Sequence, residues 1–422
     1  MKGEHMRRKV RVGAAVLLTM VLSATAIGVT NAQAGAATVR GFNGKTIVLG
    51  GMWGTANFSG AQVGAEGYIK QINKTNYLHG IKLQFAGYVN DNNDPATALS
   101  AVRQLVNQYG VFAIVPDLSA VNPGSYLTSQ KILYVGGGFD YTYCSNKVTT
   151  SLWGYSAGGC LVPQTPPVVP SVYGQFYTYV KNKTGSLHPT MAVFSNDNAS
   201  GSNSAKTSTV AAKGAGFNVV YNKASIPTTA SDYTPYVQQL MTADNGKQPQ
   251  AIGCQLTAQC IPMWAALKNA GYTGSYWSPL GPIPALYSSM QGTVTIATYN
   301  NAPNPGLTAM QNAMNSVVPG TQLASYSNVP SYIDTAMFAT AVHTVQAKKL
   351  PITPDNVRKV LSTIKWGIPN LVGPISYPAS SVAGTPYCTE FLAYTGGSAQ
   401  QVYPYSCNYK IFKVTPAAEK AS

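Results

Sequence analysis

The sequence predicts an α/β fold in two lobes, each built on a central parallel sheet. Three observations carry this prediction. From Lys45 onward, short β-branched or aromatic runs alternate with longer amphipathic segments, the pattern of repeated βαβ units. The alternation occurs in two series of similar length. Behind an apolar leader, a chain that is 45% hydrophobic can bury a substantial core.

In the leader, Arg7, Arg8, Lys9 and Arg11 precede an apolar run over 12–29, followed by the small residues of Ala32-Gln33-Ala34. This three-part pattern predicts a signal peptide, residues 1–34, removed on export. Thr19, Ser23, Thr25 and Gly28 dilute the run, which barely reaches the ~20 residues a membrane span needs, so cleavage is favoured over anchoring. No cysteine follows the run to carry a lipid. The mature protein is therefore expected outside the cytoplasm, secreted or held at the cell surface by other means.

In the first series, 46–52 (TIVLGGM) reads as a buried strand and 59–73 as a helix with Val63, Gly67, Ile69 and Ile72 on its inner stripe. A second strand covers 81–89. Asp94-Pro95 marks a helix start, because aspartate caps free amides and proline fits the first turn, and Ala98, Val102, Leu105 and Val106 recur at helical spacing. Strands follow at 111–115 and 132–135. The stretch 140–170, rich in Tyr, Gly and Pro, reads as loop at the lobe boundary.

The second series places helices at 173–180, 204–214, 233–241 and 261–270 between strands at 190–194, 217–221 and 251–254. Helices at 332–346 and 354–364 precede a turn-rich tail with strand-like runs at 388–394 and 409–414. The expected lobes are 45–170 completed by 326–365, and 171–325 completed by 366–415.

Charged residues make up 10% of the chain against a usual ~25%, and 27 tyrosines help supply the polarity. The formal charge of +15 falls to +11 without the leader. The remaining Lys and Arg are scattered, with neither a basic helix nor an aromatic-basic ribonucleoprotein motif, so nucleic acid is not the expected partner. An anionic cell wall or membrane surface is the milder match to a basic exported protein.

All six cysteines lie in the exported part, which implies disulfides. Six cysteines allow 15 connectivities; chain order makes Cys144–Cys160, Cys254–Cys260 and Cys388–Cys407 the economical pairing. No CxxC-type spacing with histidine is present, so no metal site is expected.

Gly154-Tyr155-Ser156-Ala157-Gly158 matches the G-x-S-x-G elbow of α/β hydrolases, which needs a helix directly after the serine. Prolines at 163, 166, 167 and 170 forbid that helix, and neither His188 nor His343 has an acid-bearing context. A hydrolase using Ser156 is the weakest reading, and a glycine-rich disulfide loop the stronger one. Gly44-Lys45-Thr46 lacks the first glycine of a P-loop and precedes its strand instead of following it. Asp91 and Asp94 suit a turn and a helix cap, and Asp197 and Asp232 stand alone as caps or ligand contacts. No catalytic constellation emerges, so neither enzyme activity nor a cofactor is expected.

The stretches TIVLGGMWGTANFSGAQVGAEGYIKQIN, NDNNDPATALSAVRQLV, SDYTPYVQQLMTADNGKQPQAIGC and SYIDTAMFATAVHTVQAKKLPITPDNVRKVLSTIKWGIPNLVGPISYP together resemble the leucine/isoleucine/valine-binding protein family of ABC-transporter receptors. The likeness runs over 45–377. It implies the type I periplasmic-binding fold, two Rossmann-like lobes joined by three hinge strands, with a small-molecule ligand held in the cleft at the strand carboxyl ends.

On that resemblance the first lobe would contribute Trp53, Asn57 and Phe58 after its first strand, Ser119 and Ala120 after its third, and Gly137, Gly138 and Phe139 after its fourth. Ser119 sits where the family's serine hydroxyl binds a ligand carboxylate. Core aromatics, a turn and a helix cap would explain Trp53 and Phe58, the glycines and Ser119 equally well. The second lobe would contribute Asn198, Gln255 and the loop from Trp277 to Leu280.

In amino-acid receptors of the family an acidic side chain near that loop takes the ligand ammonium, whereas this chain has Leu280. An unpaired ammonium in a closed cleft costs several kcal/mol, so a carboxylate, amide, aromatic or other less cationic ligand is expected. The implied partner is a membrane permease of an ABC transporter, with the receptor a monomer. A sensory or regulatory ligand-binding module is the alternative.

Overall fold

A computed structural model describes residues 39–54, 60–144, 152–162, 168–169, 172–256, 258–378, 388–407 and 412–413. Residues 1–34, Asn57 and Phe58 lie outside them.

The first sheet holds β1 (Thr46–Trp53), β2 (Lys82–Asn90), β3 (Ala113–Leu118), β4 (Leu133–Gly136) and β5 (Gly154–Ser156), in the order β2-β1-β3-β4-β5 with every pair parallel. Helices α1 (Ala61–Lys74), α2 (Pro95–Asn107) and α3 (Gly124–Ser129) connect its strands. Asp94 caps α2 as its sequence predicts: the carboxylate accepts the Thr97 N–H at 2.7 Å, an interaction typically worth about 1 kcal/mol.

β5 falls where the sequence predicts a loop. It pairs Tyr134 with Gly154, and a Cβ on Gly154 would lie 2.3 Å from the Tyr134 ring. Glycine is thus required by the close approach, and its missing side chain hides the strand's alternating pattern.

β6 (Val168–Val169) leads into α4 (Val172–Thr184) and the second sheet. That sheet comprises β7 (Thr190–Asn196), β8 (Asn218–Ile226), β9 (Ala251–Gln255), β10 (Ser275–Trp277) and β11 (Thr293–Ala297), interleaved with α5 (Ala199–Gly214), α6 (Thr234–Met241) and α7 (Cys260–Asn269). Its parallel part runs β8-β7-β9-β10-β11, the same arrangement as the first sheet.

The chain then returns. α8 (Pro305–Asn315) and α9 (Asn328–Ala347) both pack against α1, and α9 also lies on β3 and β4 and against α10 (Pro354–Leu361). α8, which falls within the segment expected to belong to the second lobe, thus lies on the first. β12 (Lys365–Ile368) and β13 (Val372–Ser376) form a separate hairpin, after which β14 (Thr389–Thr395) and β15 (Ser398–Ser406) extend the second sheet antiparallel from β11. β16 (Phe412–Lys413) pairs with β6.

The chain therefore crosses between lobes three times: between β5 and α4, β11 and α8, and β13 and β14. Each lobe has its own apolar core, the first centred on β1, β3, β4 and α9 and the second on β7, β9 and their flanking helices.

Candidate ligand-binding cleft

In a sheet ordered 2-1-3-4-5, successive connections leave in opposite directions on either side of the first and third strands, which opens a crevice beyond their carboxyl ends. Here that point carries Trp53 and Ser119 in the first lobe, and Asn196 and Gln255 in the second. Between the lobes lies a cleft of about 1530 Å³, partly open to solvent.

From the first lobe Ala120, Gly137 and Phe139 line it, and the Phe139 ring stacks on Tyr326 at 4.9 Å. Trp53 does not; it is buried and stacks on Tyr88 at 4.1 Å. Gly138 does not either: its φ is +74°, and a Cβ there would meet the Gly159 carbonyl at 2.4 Å, so its role is the turn.

Ser119 also stands off the cleft lining, fully buried. Its hydroxyl donates to Asp91 and accepts the Val121 N–H at 3.0 Å, while its own N–H donates to Asp117 at 3.0 Å. Asp117 further accepts the Tyr143 hydroxyl at 2.7 Å and the Asn122 amide at 2.8 Å. Burial pushes the Asp117 carboxyl up to about 7 against these hydrogen bonds, and raises Asp91 as well.

Asn198, Gln255 and Trp277 line the cleft from the second lobe. Asn198 caps α5 by accepting the Gly201 N–H at 2.7 Å, so this helix begins earlier than its sequence pattern suggests. Gln255 accepts from the Ser204 hydroxyl at 2.7 Å and donates to Ser208 at 3.2 Å. Trp277 packs on Tyr173 at 5.5 Å, is 3% exposed, and its Nε1 has no hydrogen-bond partner. Leu280 is buried off the lining, although its neighbours Pro279 and Gly281 reach it. The cleft thus brings together Ala120, Gly137, Phe139, Asn198, Gln255 and Trp277.

Asn196 and Asp334 are among the lining residues not singled out from sequence. Asn196 ends β7, and its amide donates to the Ile226 carbonyl at 3.1 Å and the Gln259 side chain at 2.6 Å. Asp334 lies within α9, 1% exposed, and also lines the cleft. Its Oδ2 has no hydrogen-bond partner, and burial raises the group well above the usual carboxylate range, the nearby Ala157 backbone opposing this only in part. A lone carboxylate in a long helix without Lys, Arg or Glu is the sequence signal that could have marked it.

The remaining wall is built by β13 and a disulfide. A Cβ on Gly373 would fall 1.9 Å from Cys388 Sγ, and the Gly373 N–H donates to the Tyr405 hydroxyl at 2.6 Å. Cysteines pair as chain order suggests: Cys144–Cys160, Cys254–Cys260 and Cys388–Cys407. Near the cleft, Ser200 of α5 donates to Asp140 at 3.0 Å, bridging the lobes, and burial pushes Asp140 up to about 6.

Ser156 is unsuited to attack. It is fully buried, its oxygen accepts the Gly158 N–H at 2.9 Å, and His188 and His343 engage Gly216 and Tyr77 instead. Among the described residues no cluster of His, Cys, Asp or Glu could hold a metal, and no helix is long and apolar enough to cross a membrane.

Residues 46–386 match the sequence model of the family described as periplasmic binding protein. The chain belongs to that family. This periplasmic binding protein is similar in structure to a fatty acid ABC transporter substrate-binding protein from Thermomonospora curvata, with TM-score 0.71, 16% identity, and coverage of 89% of this chain and 97% of that one. It is also similar to the branched-chain amino acid transporter substrate-binding protein LivJ from Streptococcus pneumoniae (0.63, 14%, covering 85% and 100%) and to the leucine-binding protein LivK from Thermotoga maritima (0.63, 13%, covering 86% and 98%). These likenesses establish the type I fold, two α/β lobes on parallel-dominated sheets. No curated protein matches its sequence.

Proposed function

We propose that this chain is the extracytoplasmic solute receptor of an ABC-type uptake system. It captures a small organic ligand, amino-acid-like or a carboxylate, amide or aromatic, between its lobes and delivers it unchanged to a membrane permease. Residues 1–34 direct export, and the mature receptor acts as a monomer. The observation that supports this most is the cleft itself: polar side chains at one lobe's crevice, apolar walls such as Leu256, Ile296 and Ile333, and, among the described lining residues, no histidine to activate a nucleophile.

The decisive experiment is thermal unfolding of the purified protein against amino acids, carboxylates, amides and aromatic acids, followed by uptake of labelled hits in cells with and without the gene. A true ligand at a hundredfold its Kd stabilises by about 2.7 kcal/mol. A hit that raises Tm and loses its uptake with the gene supports the reading. Chemical turnover of the hit, or uptake that ignores the gene, defeats it.

A further inference from the structure

Among the described residues lining the cleft, Asp334 is the one acidic side chain, and no Lys, Arg or His accompanies it. It is more than nine-tenths buried, with Oδ2 unpartnered. Across the cleft Trp277 presents the complementary shortage, a buried N–H donor with nothing to accept it. Native proteins leave few buried polar atoms unsatisfied, and each such atom calls for an explanation. Here an acceptor on a first-lobe wall residue and a donor on a second-lobe wall residue, both sealed from solvent, lack partners in this structure.

We propose that these two groups are the poles of the ligand site, and that the ligand carries a basic nitrogen on an apolar body, the nitrogen held by Asp334 and an acceptor oxygen held by Trp277 Nε1. This rests on the solute-receptor reading above and narrows its ligand class. Leu280 stands off the cleft, so its lack of charge does not set the balance there; Asp334 does. A ligand carboxylate would set two acids side by side with no cation to relieve them, whereas an ammonium gives the buried carboxyl the partner it lacks. Apolar residues Leu161, Val162, Val372 and Ile375 also line the cleft and suit the ligand's body.

The test is calorimetric titration of the purified full chain with three head groups on three bodies: amine, carboxylate and carboxamide on 3-methylbutyl, 3-phenylpropyl and octyl chains. Amines are expected to bind at least about tenfold tighter than the matching carboxylates and carboxamides. Asp334→Asn should weaken the amines about a hundredfold and change the carboxamides less than about threefold, a split that a merely structural role would not give. L-leucinamide, which adds a carboxamide beside the nitrogen of the 3-methylbutyl amine, should gain about tenfold over that amine through its carbonyl oxygen, and Trp277→Phe should erase the gain.

Carboxylates or carboxamides binding best overturn the inference and leave the receptor reading standing. Amine binding indifferent to Asp334→Asn also overturns it. No heat from any member overturns both.

Discussion

The crevices of the two lobes occupy equivalent positions in sheets whose parallel parts share one strand order, yet their side chains are used in opposite ways. In the first, Ser119 is engaged by Asp91, Asp117 holds Ser119, Tyr143 and Asn122, and Trp53 stacks on Tyr88. In the second, Asn196, Asn198 and Gln255 hold their neighbours and still line the cleft, with Trp277 beside them. A crevice whose polar groups satisfy one another serves the fold, and one whose groups remain exposed to the cavity can serve a guest. Topology supplied both places, and hydrogen bonding selected between them.

The largest expected effect tests the first half of this contrast. Asp117→Ala leaves the Ser119 N–H and the Asn122 amide without their acceptor, at about 1–3 kcal/mol each, and Tyr143 with only the backbone carbonyl, so urea unfolding should report a loss of about 4 kcal/mol. The same carboxyl sets a pH dependence. Its folded value is raised to about 7 from 3.8, so the native state holds a proton that the unfolded chain has released. This contribution to stability is complete below pH 3.8 and is lost as pH rises through 7, roughly 4 kcal/mol over the window. Asp140, raised to about 6, acts in the same direction. Unfolding at pH 4, 6 and 8 should show the decline, and Asp117→Asn should flatten its upper part.

Next comes the cleft wall. Replacing Cys388 and Cys407 by Ser opens a link across 19 residues and should cost about 3 kcal/mol by the same measurement. The smallest effects sharpen the contrast directly. With the tightest amine of the calorimetric series, Gln255→Ala should weaken binding about tenfold, whereas Ser119→Ala should change it less than about threefold. A larger loss at Ser119 than at Gln255 would invert the comparison.

The alternating cycles, the Asp94 cap, the pairing of cysteines and the family were legible in the residues, because each is local or repeats at a fixed period. Gly154 concealed β5 by removing the side chain on which a strand pattern depends. No element was read from the sequence over 271–325, although Asn304-Pro305 starts α8 with the same signal as Asp94-Pro95. Of the ten predicted site residues that are described, six line the cleft. Ser119 is instructive: that its hydroxyl engages Asp91 depends on a residue 28 positions earlier, beyond any local pattern. Asp334 escaped for a related reason, since helical periodicity identifies a buried face but not the cavity that face meets.

The packing of α9 against α1, β3, β4 and α10 ties Asp334 to the first lobe, while Trp277 closes β10 in the second. Any parting of the lobes therefore carries the indole away from the acid and changes what surrounds the ring. Trp277 becomes a built-in optical gauge: its emission should move to longer wavelength as water reaches the ring and return when a guest fills the gap. Trp277→Phe would silence that signal and leave the other four tryptophans as a constant background.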